Sequence, residues 1–230
     1  MIGTYVNVAA IIAGSLVGIL LRHGLPERFK EILLQAIGLA VLFIGMATAL
    51  SGLLSPESEA LLFIISLAVG GIVGELIGIE KGMKQLGDRL QHRLGEHHGK
   101  VSEAFVTASL IYCVGSMAIL GSIKSGLEGD HSILYAKSIL DGITSIILAS
   151  SLGIGVIFSA IPLLLYQGGI TLLSSFIEPW VGEGVVREIS NIGGILIFAI
   201  GLALMGIRKI KTANLLPALL IPPLYYLILG

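Results

Sequence analysis

The sequence predicts an all-α protein, a polytopic bundle of about eight transmembrane helices that forms one integral membrane domain over residues 1–230. Composition and pattern predict it together. Hydrophobic residues make up 55% of the chain and charged residues 13%, about half the charged share of an ordinary soluble domain. Apolar runs long enough to cross a bilayer, about 17–25 residues, recur from end to end. Spans of that kind are helices, because a helix satisfies its own backbone polar groups inside lipid. Barrel strands would read as short alternating segments instead.

In chain order the spans read 3–21, 32–54, 59–79, 104–122, 132–150, 152–175, 188–206 and 213–229. The first has no basic residue ahead of its apolar stretch and no clear cleavage site, so it reads as a mature helix rather than a signal peptide. It carries small residues every four positions, Ala10, Gly14 and Gly18, and the third span does the same with Gly70, Gly74 and Gly78. Such a stripe lets two helices approach closely. The runs Gly14-Ser15-Leu16-Val17-Gly18 and Gly70-Gly71-Ile72-Val73-Gly74 match, and weaker likeness joins the second and fourth spans. Helix pairs 1–2 and 3–4 are therefore candidate internal repeats. A second short match, Ile37-Gly38 with Phe43 against Ile192-Gly193 with Phe198, links helices expected to run in opposite directions. That is the plan of an inverted repeat.

The fifth and sixth spans share one apolar stretch, with a turn expected at Ser150, Ser151 and Gly153. If the fifth does not cross, the count falls to seven. Basic residues arbitrate. Arg22, Arg28 and Lys30 follow the first span, Lys81, Lys84, Arg89, Arg93 and Lys100 the third, and Arg208, Lys209 and Lys211 the seventh. Eight spans put all three clusters on one side, expected to be the cytoplasm of a bacterial inner membrane with both termini outside. Seven would split them. Segment 80–103 is the one sizeable soluble part. Its stripe of Ile79, Met83, Leu86, Leu90 and Leu94 predicts an amphipathic helix at the cytoplasmic interface.

Several classes are excluded. A net charge of −1 offers no basic surface for nucleic acid, and one cysteine, Cys113, allows no intramolecular disulfide. His92, His97 and His98 lie near Glu96 and Glu103 but lack His-x3-His spacing, so neither a metal site nor a cofactor is expected. No Walker A sequence, nucleophile elbow or second intramembrane aspartate appears, and the chain does not read as an enzyme.

The candidate site begins with Lys137 and Asp141, inside the apolar run SILYAKSILDGITSIILAS. Opposite charges at i and i+4 share a helix face. A charge near the bilayer centre costs at least about 2.5–3.5 kcal/mol, so such residues face a bundle interior or water. Thr144 and Ser145 follow by three and four residues and are expected on the same face. A buried structural pair is one reading. In the other, Lys137 snorkels outward and leaves Asp141 to carry an ion or proton. Ser159, Pro162, Gln167 and Gly168 join the set because Pro162 is expected to kink the sixth span, freeing backbone where a ligand could bind. The last span is interrupted by Pro217, Pro222 and Pro223. Glu75, a turn before the inner end of the third span, and Asn191 complete the candidates.

From Lys137 the chain reads KSILDGITSIILASSLGIGVIFSAIPLLLYQGGITLL. Lys137, Asp141-Gly142, Gly153-Ile154-Gly155-Val156, Ser159, Pro162 and Tyr166-Gln167-Gly168 resemble the signature of the YdfK/YqgA-like family of bacterial inner-membrane proteins. The resemblance covers essentially the whole chain. It implies a polytopic inner-membrane protein and supplies no substrate or mechanism. The residues favour a small ion-coupled secondary transporter for an unidentified solute. The alternatives are an oligomeric channel, or a scaffold or sensor that binds a partner through the 80–103 loop. Expected partners are the lipid bilayer, a small solute or ion, and a second copy of the chain.

Overall fold

The computed structural model describes residues 1–22, 26–94 and 101–229. In order these form α1 (Ile2–Arg22), α2 (Glu27–Leu53), α3 (Ala60–Ile77), α4 (Ile79–Leu94), α5 (Val101–Cys113), α6 (Ser116–Leu127) and α7 (Ser132–Leu152). A 3-10 segment, Ile154–Ser159, then leads into α8 (Ala160–Leu172). The short α9 (Ser174–Ile177) and a 3-10 turn, Glu178–Trp180, precede α10 (Glu183–Leu204), and the chain closes with a 3-10 stretch, Thr212–Leu220, and α11 (Ile221–Leu229). No strand occurs among the described residues.

Six of these units are long and apolar enough to cross a membrane: α1, residues 31–53 of α2, α3, α7, residues 154–172, and α10. The pair α5 and α6, bent by 59°, makes a seventh if it is one broken span, and Thr212–Ile228 is a further, shorter apolar run.

Glycines fix the direction of these units. A Cβ on Gly14 would strike the Gly142 carbonyl, and one on Gly18 the Ile146 carbonyl, while Gly3 lies against Leu134. Contacts advance together along both helices, so α1 and α7 run parallel. On α2, Gly38 meets Met205, Gly45 meets Phe198 and Gly194, and Gly52 meets Asn191. The order reverses, so α2 and α10 are antiparallel. Gly70 meets Ala218 and Gly74 meets Asn214, which makes α3 antiparallel to the 3-10 stretch.

All three directions follow from eight alternating crossings. If α7 failed to cross, α10 would run parallel to α2, and the last unit parallel to α3. The seven-span alternative is therefore set aside. The termini lie at one end of the bundle and the basic loops at the other.

The two glycine stripes serve the same purpose, but their partners run in opposite senses. A simple parallel duplication of pairs 1–2 and 3–4 does not describe the packing. The helices that carry the segments compared as an inverted pair, α2 and α10, pack against each other, but the two segments are offset along them: Gly38 faces Met205, and Gly194 faces Ala49.

The proline positions correct the kink expected in the sixth span. Pro162 is the third residue of α8 and Pro222 and Pro223 stand in the first turn of α11, where a missing N–H costs nothing. The interruptions come from upstream. Gly153 has φ 96° and ends α7, and Gly115 has φ 140° between α5 and α6. That region of φ suits glycine and few other residues. Ser150 and Ser151, expected in the turn, stay within α7.

Gly78 is also corrected. It does not continue the packing stripe but ends α3 in the left-handed conformation, φ 74° and ψ 40°, and no other helix packs on it: a Cβ there would touch only Lys81, at 4.0 Å. It redirects the chain into α4, which does more than lie at an interface. Ile79 and Met83 pack against the main core of Ile11, Tyr112, Leu148 and Leu163, and Gly87 lies on Ser102 of α5. The segment expected to be one amphipathic helix ends at Leu94, and residues 101–103 begin α5. Residues 95–100, with His97 and His98, lie outside the described residues.

Candidate functional site

α7 turns one polar face inward. Lys137, Ser138, Asp141 and Ser145 are all buried on it. The spacing repeats every three or four residues, the period of one helix face. Lys137 Nζ lies 2.6 Å from Asp141 Oδ2, and each residue is only 6% exposed. The pair is closed off rather than snorkelling.

Two other spans complete the site. From α1, Asn7 Nδ2 donates to Asp141 Oδ2 at 2.9 Å, and the same amide nitrogen donates to Gln167 Oε1 of α8 at 3.3 Å. Asn7 and Gln167 are fully buried. One helical turn further out, the hydroxyls of Thr4 and Thr171 meet at 3.4 Å. One turn inward, Ser145 Oγ and Tyr112 OH of α5 are 2.7 Å apart. Beside Gly168 the nearest atoms belong to Met1, Leu164 and Thr4, and a Cβ there would meet them only at ordinary contact distance.

The charge fixes how the amides point. A carboxylate only accepts, so Asn7 must turn its NH2 toward Asp141, and Gln167 must then present its oxygen to Asn7. This leaves Asn7 Oδ1 and Gln167 Nε2 buried without a hydrogen-bond partner. The side-chain bonds to Asp141 both fall on Oδ2, so Oδ1 has none among the described residues. An unpaired buried polar group costs about 1–3 kcal/mol. The site thus holds an ion pair beside one buried unpaired donor, Gln167 Nε2, and one buried unpaired acceptor, Asn7 Oδ1.

Lys137, Asp141, Asn7 and Gln167 are each at most 6% exposed, so this conformation buries the site.

The other candidates lie elsewhere. Thr144 is half-buried and its hydroxyl returns to the Leu140 carbonyl. Ser159 is buried and returns its hydroxyl to Val156. Neither reaches the carboxylate. α8 is regular from Pro162 to Gly169, so no backbone is freed there, and Pro162 borders an apolar cavity instead.

Glu75 joins a clamp at the basic-loop end. It accepts from Lys211 Nζ and Asn214 Nδ2, each at 2.6 Å. Asn214 Oδ1 in turn accepts the Glu80 N–H at 2.7 Å, and Glu80 accepts the Ala213 N–H at 3.0 Å. This ties the end of α3 to the start of the last span.

Asn191 belongs to a cluster at the opposite end, around Glu188. The Glu188 carboxylate is fully buried and accepts from Asn191 Nδ2 and from the Glu59 N–H, both at 3.2 Å. Glu59 is the N-cap of α3, so Glu188 places negative charge at that helix's positive end. Arg187 is bound to Glu57 through Nη1 at 2.7 Å.

Sequence reasoning passed over Glu188 because 188–206 was taken as the span, which put a glutamate unremarkably at its edge. α10 begins five residues earlier, at Glu183. Asn7, Thr4, Thr171 and Tyr112 were missed as site residues because an uncharged polar group in a span usually just bonds a neighbouring helix.

Fold and site together define a polytopic helical membrane protein with an ion pair sealed among its spans. The chain belongs to the family described as "Protein of unknown function (DUF554)", which matches residues 2–227. It is 40% identical over 223 residues to the "Uncharacterized membrane protein YdfK" of Bacillus subtilis (strain 168), covering 97% of this chain and 94% of that one. It is 32% identical over 226 residues to the "Uncharacterized protein YqgA" of Escherichia coli (strain K12), covering 96% and 94%. No solved structure matches the chain.

Proposed function

We propose that this protein is a small ion-coupled secondary carrier of a bacterial inner membrane, with its basic loops in the cytoplasm and both termini outside. Asp141 is the ion-carrying carboxylate and Lys137 a tethered counter-cation. Asn7 and Gln167 are the polar groups that rearrange when the pair opens. One observation carries the reading. A buried ion pair places both of its partners on a single oxygen, Asp141 Oδ2, beside buried amide atoms left unpaired. A purely structural pair would be expected to use both oxygens and satisfy its neighbours.

Lys137 Nζ sits where a proton or monovalent cation would bind Asp141. Lys137 is the sixth residue of α7, about 7.5 Å from the helix start at 1.5 Å per residue. Its flexible stem can therefore swing the ammonium toward the terminal end. Asp141 then takes an ion in its place. The buried site corresponds to the state in which Lys137 holds the carboxylate.

The test is charge displacement on a solid-supported membrane carrying reconstituted protein, with separate jumps in pH and in sodium. Wild type should give a transient current in one of the jumps, and Asp141→Asn should remove it. Currents no larger than those of protein-free membranes in both jumps would refute ion coupling.

A further inference from the structure

A cavity of about 730 Å³ runs along the membrane direction on the side of the bundle formed by α4, α5, α8 and the last span. The three interrupted spans border it, through Cys113 and Val114, Pro162, and Pro217 with Pro223. On both α5 (Phe105 to Cys113) and α8 (Pro162 to Ile170) its lining extends over nine residues, eight steps or about 12 Å of helix rise. That approaches the depth of one leaflet of a hydrocarbon core about 30 Å thick. The lining is almost wholly apolar. Of its few polar side chains, Ser109 is already committed to the Phe105 carbonyl at 2.6 Å.

The groove is open at α4. Leu86 and Leu220 on its lining are 53% and 65% exposed, and a Cβ added to Gly82 would meet nothing within 4 Å. Arg89, one turn beyond Leu86 on the same face, is exposed and in no ion pair among the described residues. Lys81 is likewise exposed on this helix. An apolar slot of leaflet depth with a cation at its mouth is complementary to an anionic amphiphile. In a bilayer the abundant molecule of that kind is an anionic phospholipid.

We propose that this groove holds one acyl chain of an anionic phospholipid, with the phosphate at Arg89. The lipid wedges between α4 and the interrupted spans, distinct from the Lys137–Asp141 site. A cation near an anionic lipid surface contributes about 1 kcal/mol, which is about fivefold in binding.

Cys113 lines the groove and reports its occupancy. The protein would be placed in nanodiscs of phosphatidylcholine with increasing phosphatidylglycerol, and the rate of Cys113 alkylation by N-ethylmaleimide measured. Phosphatidylglycerol should slow the reaction in a saturable way. Arg89→Gln should raise the half-effect concentration about fivefold. Gly82→Leu, whose Cβ meets nothing within 4 Å and whose side chain fills the mouth, should make the rate independent of lipid, its fold checked by circular dichroism. A rate that ignores phosphatidylglycerol in wild type overturns the proposal. So does protection that follows the number of protein copies per disc, because a second copy would then cover the groove.

Discussion

Breaking the Lys137–Asp141 pair one partner at a time should be far more costly than removing both. The two groups are 2.6 Å apart and nearly inaccessible. Removing one partner of a buried pair leaves an uncompensated charge and typically costs about 3–5 kcal/mol. Asp141→Asn strands the Lys137 ammonium, while Asn7 is left with a neutral amide as its acceptor. Lys137→Met strands the carboxylate with one donor, Asn7 Nδ2. The double variant Lys137→Met/Asp141→Asn carries no charge, and replacing a buried pair by neutral groups is often neutral to stabilising by about 1–4 kcal/mol. The thermodynamic cycle should therefore yield a coupling of at least about 3 kcal/mol, the top of the range of about 0.5–3 kcal/mol for residues in contact. The assay is denaturant-induced unfolding in one detergent, followed by circular dichroism, for all four proteins. Singles that each cost under about 1 kcal/mol and add in the double would refute the reasoning. They would mean that Lys137 lives at the membrane surface and that Asp141 is not paired.

Gly45→Leu should prevent stable folding, because a Cβ there strikes the backbone of Phe198 and Gly194, whereas Gly82→Ala should be neutral or stabilising by up to about 1 kcal/mol; expression and unfolding midpoints separate the two. Glu188→Ala should cost at least about 1–3 kcal/mol, because it leaves the Glu59 N–H and Asn191 Nδ2 without their acceptor, and Glu188→Gln less, read as a shift in denaturant midpoint. Asp130, in the loop before α7, accepts the Ser132 backbone N–H, which holds its carboxyl below the usual aspartate value. Its stabilising effect is therefore complete above the unfolded value near pH 3.9 and lost as pH falls through the lower folded value. Asp130→Ala should flatten the acid limb of the stability profile and lower stability at neutral pH.

The span count was legible because hydropathy and basic-loop placement are independent signals, and glycine contacts agree with both. The charges of the site were legible too, since Lys137 and Asp141 stand out in an apolar run. What surrounds them was not. Asn7 and Tyr112 come from two other spans, and nothing in a linear sequence says that residues 7, 112 and 141 converge; Gln167 was a candidate for backbone freed near Pro162, not for the side-chain bond it makes to Asn7. The interruption at Gly115 was hidden because no proline marks it, and only its φ of 140° reveals it. Proline misled in the opposite way. Pro162, Pro222 and Pro223 begin helices rather than break them. Glu75 and Asn191 were polar and near membrane ends, and each went to a local clamp that holds spans together.

Water access at position 141 tests the carrier reading most directly. In a Cys113→Ala background, a cysteine is placed at Asp141 and, as controls, at Leu140 and Ile143, which are 56% and 53% exposed on the outer surface of the bundle. A membrane-impermeant thiol reagent is then applied to sealed membranes from each side in turn. The account predicts labelling at 141 from both sides and none at the two lipid-facing controls, since a carrier must open its ion site to each face. A folded protein that labels at 141 from neither side would contradict it and leave Lys137 and Asp141 as a permanently buried structural pair.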